Sequence, residues 1–212
     1  MGLDDLEKQM ISAYDERAPH CPDELEPHSY ELLKKQREVF AGRDVLEVAC
    51  GGGSTLRFLS PEISSGTGID TSPNRIAFCI EKHKGISNIT FVVGNAYKLE
   101  NVPGHFNAAH AGAWFSHVPS SRYDEFLDSL HTRVGPDVPV FLADEAENHE
   151  NAYQKNDGPD FYKRGRLKDG AEFEIVDNTF SKDDYERIFS SKVNIQEVHI
   201  GEVWTWIYYR TR

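Results

Sequence analysis

The feature of the sequence that most constrains the fold is a short apolar run that ends in three consecutive glycines. Val45 to Ala49 has the composition of a buried strand, and Gly51 to Gly53 follow almost directly. Ser54 then stands where a helix N-cap is expected, so the stretch predicts a strand, a tight turn and a helix. Glycines let the backbone approach a ligand closely, and a helix start offers unpaired N–H groups to it. The stretch therefore predicts a nucleotide-binding turn.

A second short strand ends in an acidic residue at a suitable distance from this turn. Gly66 to Asp70 has the pattern of a strand. Asp70 follows Gly51 at about the 20-residue separation that nucleotide-binding folds use for a ribose-binding acid. Such a carboxylate accepts hydrogen bonds from the two ribose hydroxyls. The two stretches together predict a site for a nucleoside cofactor.

Composition limits the partners and the compartment. The chain has 212 residues and a formal charge of −12, so we expect one domain that repels nucleic acid and anionic membranes. No apolar run reaches the roughly 20 residues that span a bilayer, and the acidic N-terminus lacks a signal core. Three scattered cysteines predict a reduced, cytoplasmic protein. His20, Cys21 and His28 do not have the spacing of a zinc site, so no metal is predicted.

Helical patterns alternate with strand patterns along the chain, which is typical of a mainly parallel sheet covered on both faces. The predicted fold is α/β, a Rossmann-like doubly wound mixed sheet of about seven strands with an antiparallel C-terminal hairpin. One domain over residues 1–212 is expected. Its predicted parts are an N-terminal helical lid (1–40, with helices over 3–17 and 29–40), a cofactor-binding core (44–145), an insertion with a hairpin over the substrate side (145–180), and a C-terminal helix and hairpin (181–212).

Proline marks the start of one helix inside the core. Pro73 lies in the first turn of a helix that is expected to run to about His83. Its inward face is expected to carry three apolar residues, Ile76, Ala77 and Ile80.

Three further signals mark boundaries in the second half of the chain. Ser120 or Ser121 is expected to cap a helix, and Ser181 with Asp184 forms an approximate capping box. Asp169-Gly170 lies between two strand-like segments and predicts a hairpin turn.

Two nucleoside cofactors fit a glycine turn that is followed by an acid. A dinucleotide fold uses G-x-G-x-x-G, in which the last glycine lets the helix and strand pack closely. Here Leu56 stands where that glycine belongs. The antiparallel terminal hairpin also fits a dinucleotide fold poorly. A glycine triplet alone is weak evidence for either cofactor.

Four blocks of the sequence share the order and spacing of a known family. Val45 to Gly53 has an apolar pair, an acid and an apolar residue before a glycine-rich turn. Further blocks lie at residues 68–72, 93–96 and 106–119. These blocks resemble the class I S-adenosylmethionine-dependent methyltransferases, and the resemblance covers about residues 44–145. The terminal hairpin is similar to the reversed last strand of that family.

The resemblance implies S-adenosylmethionine as the cofactor and S-adenosylhomocysteine as its product. By position, Asp70 would bond the ribose hydroxyls, and Asn95 and Ala96 would border the adenine. Glu47 would fix the loop or the amino group of the cofactor. The full set of implied cofactor contacts is Tyr14, Arg17, Glu47, Ala49, Gly51, Gly53, Asp70, Thr71, Asn95, Ala96, Ala111 and Gly112.

The sequence departs from the family pattern at three positions. Ala49 replaces the first glycine of the turn, and Asn95 and Asn107 stand where acids are more usual. The Asn95 carbonyl can still pair with an adenine amino group. The D/N-P-P-Y/F motif of nucleic-acid N-methyltransferases is missing after the fourth predicted strand, which argues further against DNA as a substrate.

Methyl transfer from a sulfonium is an in-line displacement, in which alignment alone can supply much of the acceleration. A catalytic side chain is therefore not required. His117 is a candidate base or substrate contact, although a histidine near a helix start explains it at least as well. Trp114 and Phe115 are candidate walls of the substrate site, with core packing as the alternative. Tyr162 and Arg166 lie on the inserted hairpin and are candidate substrate contacts, with a solvated strand face as the alternative.

The sequence therefore predicts an S-adenosylmethionine-dependent methyltransferase that acts on a small-molecule acceptor, without a nucleic-acid or membrane partner. A cofactor-binding regulatory protein without transferase activity is one alternative, and a nicotinamide-dependent oxidoreductase is another. The sequence leaves open the acceptor, the atom that is methylated and the oligomeric state.

Overall fold

The computed structural model describes residues 30–146, 153–155, 158–166, 170 and 172–212, together with the single positions 8 and 12. Apart from the single positions 8 and 12, the helix predicted over 3–17 lies outside the described residues, as do Tyr14 and Arg17. Asp169 of the predicted hairpin turn also lies outside them.

Helices and strands alternate along the described chain. The helices are α1 (Tyr30–Phe40), α2 (Ser54–Leu59), α3 (Pro73–Lys82), α4 (Tyr123–Val134) and α5 (Lys182–Phe189). The strands are β1 (Asp44–Val48), β2 (Ser65–Asp70), β3 (Ile89–Val93), β4 (Ala108–Gly112), β5 (Pro139–Glu145), β6 (Tyr153–Gln154), β7 (Phe161–Arg166), β8 (Glu172–Val176), β9 (Val193–Ile200) and β10 (Trp204–Thr211). Among the helices in the described ranges, none has both the length and the apolar character needed to cross a bilayer.

The main sheet has seven strands in the order β3–β2–β1–β4–β5–β10–β9. Strands β1 to β5 are parallel to one another, whereas β10 is antiparallel to both β5 and β9. The apolar residues of α4 and α5 pack on one face of the sheet, and those of α1, α2 and α3 pack on the other. The predicted α/β fold, with a doubly wound mixed sheet and an antiparallel C-terminal hairpin, is confirmed.

The parallel strands bring the candidate residues to one edge of the sheet. In register, Glu47 of β1 lies between Gly68 of β2 and His110 of β4. The segments that follow β1, β2, β3 and β4 therefore meet at the common carboxyl edge of these strands. Open α/β sheets bind their ligands at this edge.

Two predicted helix caps were wrong. The N-cap of α2 is Gly53, with φ +72°, and Ser54 is the first helical residue. The chain enters this helix through a left-handed residue, which glycine adopts at little cost. Ser120–Arg122 forms a 3₁₀ turn, so α4 begins only at Tyr123. The Ser120 N–H donates to Asp160 Oδ1 at 2.9 Å, which holds this turn to the chain before β7.

The predicted inward face of α3 was also wrong in part. Ile76 and Cys79 are buried, whereas Ala77 is exposed and Ile80 is 54% exposed. The helix is rotated so that the face containing Cys79 meets the glycine turn after β1, because Cys79 Sγ lies 3.2 Å from the Gly51 carbonyl oxygen. Apolar spacing alone could not show this polar contact.

The predicted inserted hairpin is formed by β7 and β8, which pair in antiparallel register and are joined by β6 in a three-stranded sheet. The buried Asn178 fixes this sheet to the chain that follows β4. Its N–H donates to the Ser116 carbonyl at 2.9 Å, and its Oδ1 accepts from the Phe161 N–H at 2.9 Å. The small sheet is therefore attached beside the carboxyl ends of β4 and β5.

The predicted capping box at the start of α5 is present. The Ser181 hydroxyl accepts from the Asp184 N–H at 3.2 Å, and the Asp184 carboxylate accepts from the Ser181 N–H at 3.0 Å. Two N–H groups that the helix itself leaves unpaired are thereby satisfied.

Replacing Ser181 with Ala is expected to lower the free energy of unfolding by about 1 kcal/mol, because the Asp184 N–H loses its acceptor. Urea unfolding followed by circular dichroism measures this change. Ser190→Ala is the matched control, because the exposed Ser190 follows the end of the same helix and its hydrogen bonds to other described residues are made by its backbone. An equal loss of stability in both variants would show that the cap contributes nothing.

Candidate functional site

The turn after β1 has an unusual backbone. Ala49, Gly51 and Gly53 have φ of +55°, +54° and +72°, whereas Cys50 and Gly52 between them do not have positive φ. A Cβ atom on Gly53 would lie 2.7 Å from the Phe91 ring, so a side chain is excluded there as well. Glycine is thus required at position 53 by both conformation and space.

Asp70 ties this turn to the end of β2. The Gly51 N–H donates to Asp70 Oδ2 at 3.0 Å, and the Ser72 N–H donates to Oδ1 at 2.9 Å. The Cys50 N–H donates to the Ile69 carbonyl at 2.8 Å and continues the strand pairing. Each carboxylate oxygen has further lone pairs, so Asp70 can accept hydrogen bonds from a ligand while it holds the turn. Thr71 follows directly and is partly buried.

Glu47 is buried below the turn. Its carboxylate accepts from the Thr55 hydroxyl and the Leu56 N–H of α2, and its Oε2 has no hydrogen-bond partner among the described residues. Burial is the largest cause that raises the pKa of Glu47 to about 8, and the negative charge of Asp70 adds to it. At neutral pH Glu47 is therefore mostly protonated and links β1 to the first turn of α2.

The segment after β3 forms a local turn at the same edge of the sheet. Asn95 Oδ1 accepts from the Tyr97 N–H at 2.8 Å, and Ala96 is buried. The Tyr97 ring lies between the Arg122 guanidinium, 3.5 Å from the ring centroid, and Trp114, whose ring centroid is 6.2 Å away. The contact of Asn95 and Ala96 with an adenine stays a prediction.

The end of β4 turns sharply out of the sheet. Ala111 is fully buried, and a Cβ on Gly112 would lie 3.0 Å from His110 Nε2. Ala113 has φ +48°, and its N–H donates to the Ala143 carbonyl at 2.7 Å. This turn directs the following segment over the ends of β4 and β5.

His117 lies in that segment and contacts the small sheet. Its Nδ1 is 2.6 Å from the Val176 carbonyl oxygen and 3.8 Å from Asp177 Oδ1. The carbonyl can only accept, so Nδ1 carries a proton in this contact. The buried Asp144 is nearby, with Oδ1 accepting from the Ser116 N–H at 3.0 Å. Burial raises the pKa of Asp144, and the positive charge of a protonated His117 opposes this shift.

The two aromatic residues predicted as walls of the substrate site lie in the core. Phe115 is fully buried and stacks against both Tyr123 and Phe180, with ring centroids 4.7 and 5.1 Å away. Trp114 is 8% exposed and packs against Phe126, and its Nε1 has no hydrogen-bond partner among the described residues. Packing accounts for the position of Phe115, as the alternative in the sequence analysis stated.

Tyr162 and Arg166 lie on one face of β7. The Lys155 ammonium lies 4.3 Å from the Tyr162 ring centroid, and Arg166 is exposed and donates to Glu172 at 2.9 Å. Their contact with a substrate stays a prediction. No group of three or more potential metal ligands occurs within the described ranges.

Sequence reasoning missed two residues that contact the turn from α3. Cys79 Sγ lies 3.2 Å from the Gly51 carbonyl oxygen, and His83 Nε2 lies 2.9 Å from the Gly52 carbonyl oxygen. Their separation of four residues on a helix that follows a predicted ribose-binding acid was the available signal. The apolar residues Ile76, Ala77 and Ile80 had predicted a different inward face of α3.

Comparison with known proteins finds similarity to a methyltransferase domain and to a solved complex with SAH. Residues 45–137 match a family model described as a methyltransferase domain. A solved structure described as the DhpI–SAH complex is 27% identical, with a TM-score of 0.75 over 97% of both chains.

Two curated enzymes are also similar. The ubiquinone biosynthesis O-methyltransferase of Pseudomonas paraeruginosa is 28% identical over 51% of this chain and 47% of its own length. The 2-heptyl-1-hydroxyquinolin-4(1H)-one methyltransferase of Mycobacteroides abscessus is 23% identical over 63% of this chain and 62% of its own length. The chain thus spans about half the length of the first of these relatives and less than two thirds of the second.

The raised pKa of Glu47 predicts a pH-dependent loss of stability. The folded protein keeps this proton up to about pH 8, whereas the unfolded chain releases it near the ordinary value of 4.5, so stability falls as the pH rises between these values. Relative to Glu47→Gln, the free energy of unfolding of the wild type is expected to fall by on the order of 1 kcal/mol per pH unit from about pH 5.5 to 7.5. Urea unfolding at several pH values measures it. Glu100→Gln, at an exposed position, is the control, and parallel curves for wild type and Glu47→Gln would contradict the assignment.

Proposed function

We propose that the chain is a class I S-adenosylmethionine-dependent methyltransferase, which binds S-adenosylmethionine at the glycine turn and methylates a small molecule. The match of residues 45–137 to a methyltransferase domain and the similarity to the DhpI–SAH complex support this proposal. The observation that carries this proposal is the Asp70 carboxylate, which holds the Gly51 N–H at the meeting point of β1 and β2. A ribose that approaches this edge finds a carboxylate already fixed by two backbone N–H groups.

The residues present fit this cofactor. The turn keeps side chains away at Gly53, where a Cβ would meet Phe91, and at Gly51, where a Cβ would lie 2.9 Å from Arg75 Nη1. Glu47 offers a buried carboxyl oxygen without a partner among the described residues. When bound, the cofactor supplies a methyl group on a positively charged sulfur. The chain supplies alignment, which for well-oriented groups is equivalent to about 10⁵–10⁸ M of the reaction partner.

The acceptor is proposed to be a small molecule with a hydroxyl group. One relative is named as an O-methyltransferase of ubiquinone biosynthesis, and another is named for a hydroxyquinolinone substrate. The formal charge of −12 also disfavours a nucleic-acid substrate. Methylation of a hydroxyl forms a carbon–oxygen bond as the carbon–sulfur bond breaks, and the hydroxyl proton must leave.

His117 is proposed to accept that proton. Its Nδ1 donates to the Val176 carbonyl, which fixes the ring and, in the neutral ring, leaves the lone pair on Nε2. Asp177 Oδ1 lies 3.8 Å from Nδ1, and its negative charge favours the positive charge that the ring gains. The relevant contacts lie at the carboxyl ends of β4 and β5, beside the small sheet that is predicted to cover the acceptor.

Calorimetric titration with S-adenosylhomocysteine tests the cofactor site. Asp70→Ala is expected to raise the Kd by roughly 10- to 100-fold, because it removes charge-assisted hydrogen bonds to the ribose and to the turn. Asp128→Ala, at an exposed position on α4, is the control and is expected to leave the Kd unchanged. If the folded wild type does not bind S-adenosylhomocysteine, or if Asp70→Ala binds it equally well, the cofactor assignment is wrong.

An acceptor screen with isotopically labelled S-adenosylmethionine and hydroxylated metabolites, read by mass spectrometry, tests the reaction. With an acceptor in hand, His117→Ala is expected to lower kcat by roughly 10²–10⁴-fold, because general base catalysis is lost. The Kd for S-adenosylhomocysteine is expected to stay the same. The exposed His105 provides the control variant His105→Ala. An unchanged kcat in His117→Ala would exclude a role in proton transfer.

A further inference from the structure

Helix α3 presents a line of three residues to the glycine turn. Arg75 and Cys79 lie in the helix and His83 is its C-cap, and each is four residues from the next, so all three lie on one face. We call these three residues the α3 stripe. Arg75 Nη1 approaches Gly51, Cys79 Sγ lies 3.2 Å from the Gly51 carbonyl oxygen, and His83 Nε2 lies 2.9 Å from the Gly52 carbonyl oxygen. The stripe therefore contacts the turn at Gly51 and Gly52.

The two donors of the stripe are well buried. Cys79 is fully buried and His83 is 4% exposed. The His83 ring packs against Phe91, with ring centroids 5.5 Å apart, and the Phe91 ring lies directly behind Gly53. Water has little access to replace these donors, so a carbonyl that loses its donor is left unsatisfied.

The contacts of the stripe complement those on the other side of the turn. The Gly51 N–H is held by Asp70 and the Gly53 N–H by the Cys50 carbonyl, 2.9 Å away. With its two middle carbonyls held by Cys79 and His83, the backbone of the turn is fixed on both sides. The left-handed residues of the turn have no side chains that could hold it otherwise.

We propose that Cys79 and His83 are positioning residues of the cofactor site. By holding the carbonyls of Gly51 and Gly52 toward α3, they set the path of the turn that the methionine part of S-adenosylmethionine must approach. The inference rests on the proposed function and adds to it two residues outside the strand ends that carry the family motifs. Neither residue touches the reacting atoms.

This proposal differs from simple core packing in what it requires of substituted side chains. An apolar replacement of similar size would satisfy packing but would leave a carbonyl unpaired. A polar replacement that keeps a donor would satisfy both. Cys79→Ser and His83→Gln keep a donor, whereas Cys79→Ala and His83→Met remove it.

Calorimetric titration of the full chain with two ligands tests the proposal. S-adenosylhomocysteine contains the methionine part, and 5′-methylthioadenosine lacks its amino and carboxyl groups. Cys79→Ala and His83→Met are each expected to raise the Kd of S-adenosylhomocysteine by about tenfold. The Kd of 5′-methylthioadenosine is expected to stay nearly unchanged. Cys79→Ser and His83→Gln are expected to retain the affinity of the wild type for both ligands.

The controls separate positioning from general instability. His105→Gln, at an exposed position, is expected to bind both ligands as the wild type does. The proposal is overturned if Cys79→Ala and His83→Met raise the Kd of both ligands equally. It is also overturned if these two variants bind S-adenosylhomocysteine as tightly as the wild type. Because residues 79 and 83 are tested independently, one variant that fails to fold still leaves the other to decide. Failure of the wild type to bind S-adenosylhomocysteine refutes the proposed function itself, which is a different result from equal binding by wild type and variants.

Discussion

The hydrogen bond from the Gly51 N–H to the Asp70 carboxylate is the interaction on which the site depends. It joins the turn after β1 to the last residue of β2, and the other carboxylate oxygen holds the N–H of Ser72. Ser72 is the N-cap of α3, so the same carboxylate also fixes where that helix begins. Since α3 contacts the carbonyls of the turn, one acidic side chain relates a strand, a turn and a helix to one another.

Charge in the interior is arranged differently from charge on the surface. The chain has a formal charge of −12, but the buried Glu47 is mostly neutral at pH 7 because burial raises its pKa to about 8. Burial also raises the pKa of Asp144. Burial lowers the pKa of His110, beside Glu47 in the sheet, to about 4, so this histidine is neutral as well. At neutral pH the buried Glu47 is therefore mostly uncharged, and the neighbouring His110 is uncharged as well.

Much of the fold could be predicted from the sequence, because the signals are local. The apolar runs of β1 and β5, the proline at the start of α3 and the capping box at Ser181 each specify an element through neighbours in the chain. Of the cofactor site, the glycine turn and Asp70 were predictable, because their spacing is fixed by one strand–helix–strand unit. The contacts of Cys79 and His83 were not, because they depend on the rotation of α3 about its axis. That rotation is set by packing among distant residues, and the four-residue spacing of Cys79 and His83 does not by itself show which face of α3 meets the turn.

The left-handed backbone at Ala49 has a consequence for the protein before any ligand arrives. An alanine in this region costs roughly 1 kcal/mol or more relative to glycine, and the surrounding structure supplies that energy during folding. In return, alanine has fewer accessible conformations in the unfolded chain than glycine would have at this position. The turn of the empty protein consequently samples fewer alternatives, and less ordering remains to be done at the moment of association. The Ala49 methyl group thus removes in advance part of the conformational entropy that the turn would otherwise lose when a ligand binds.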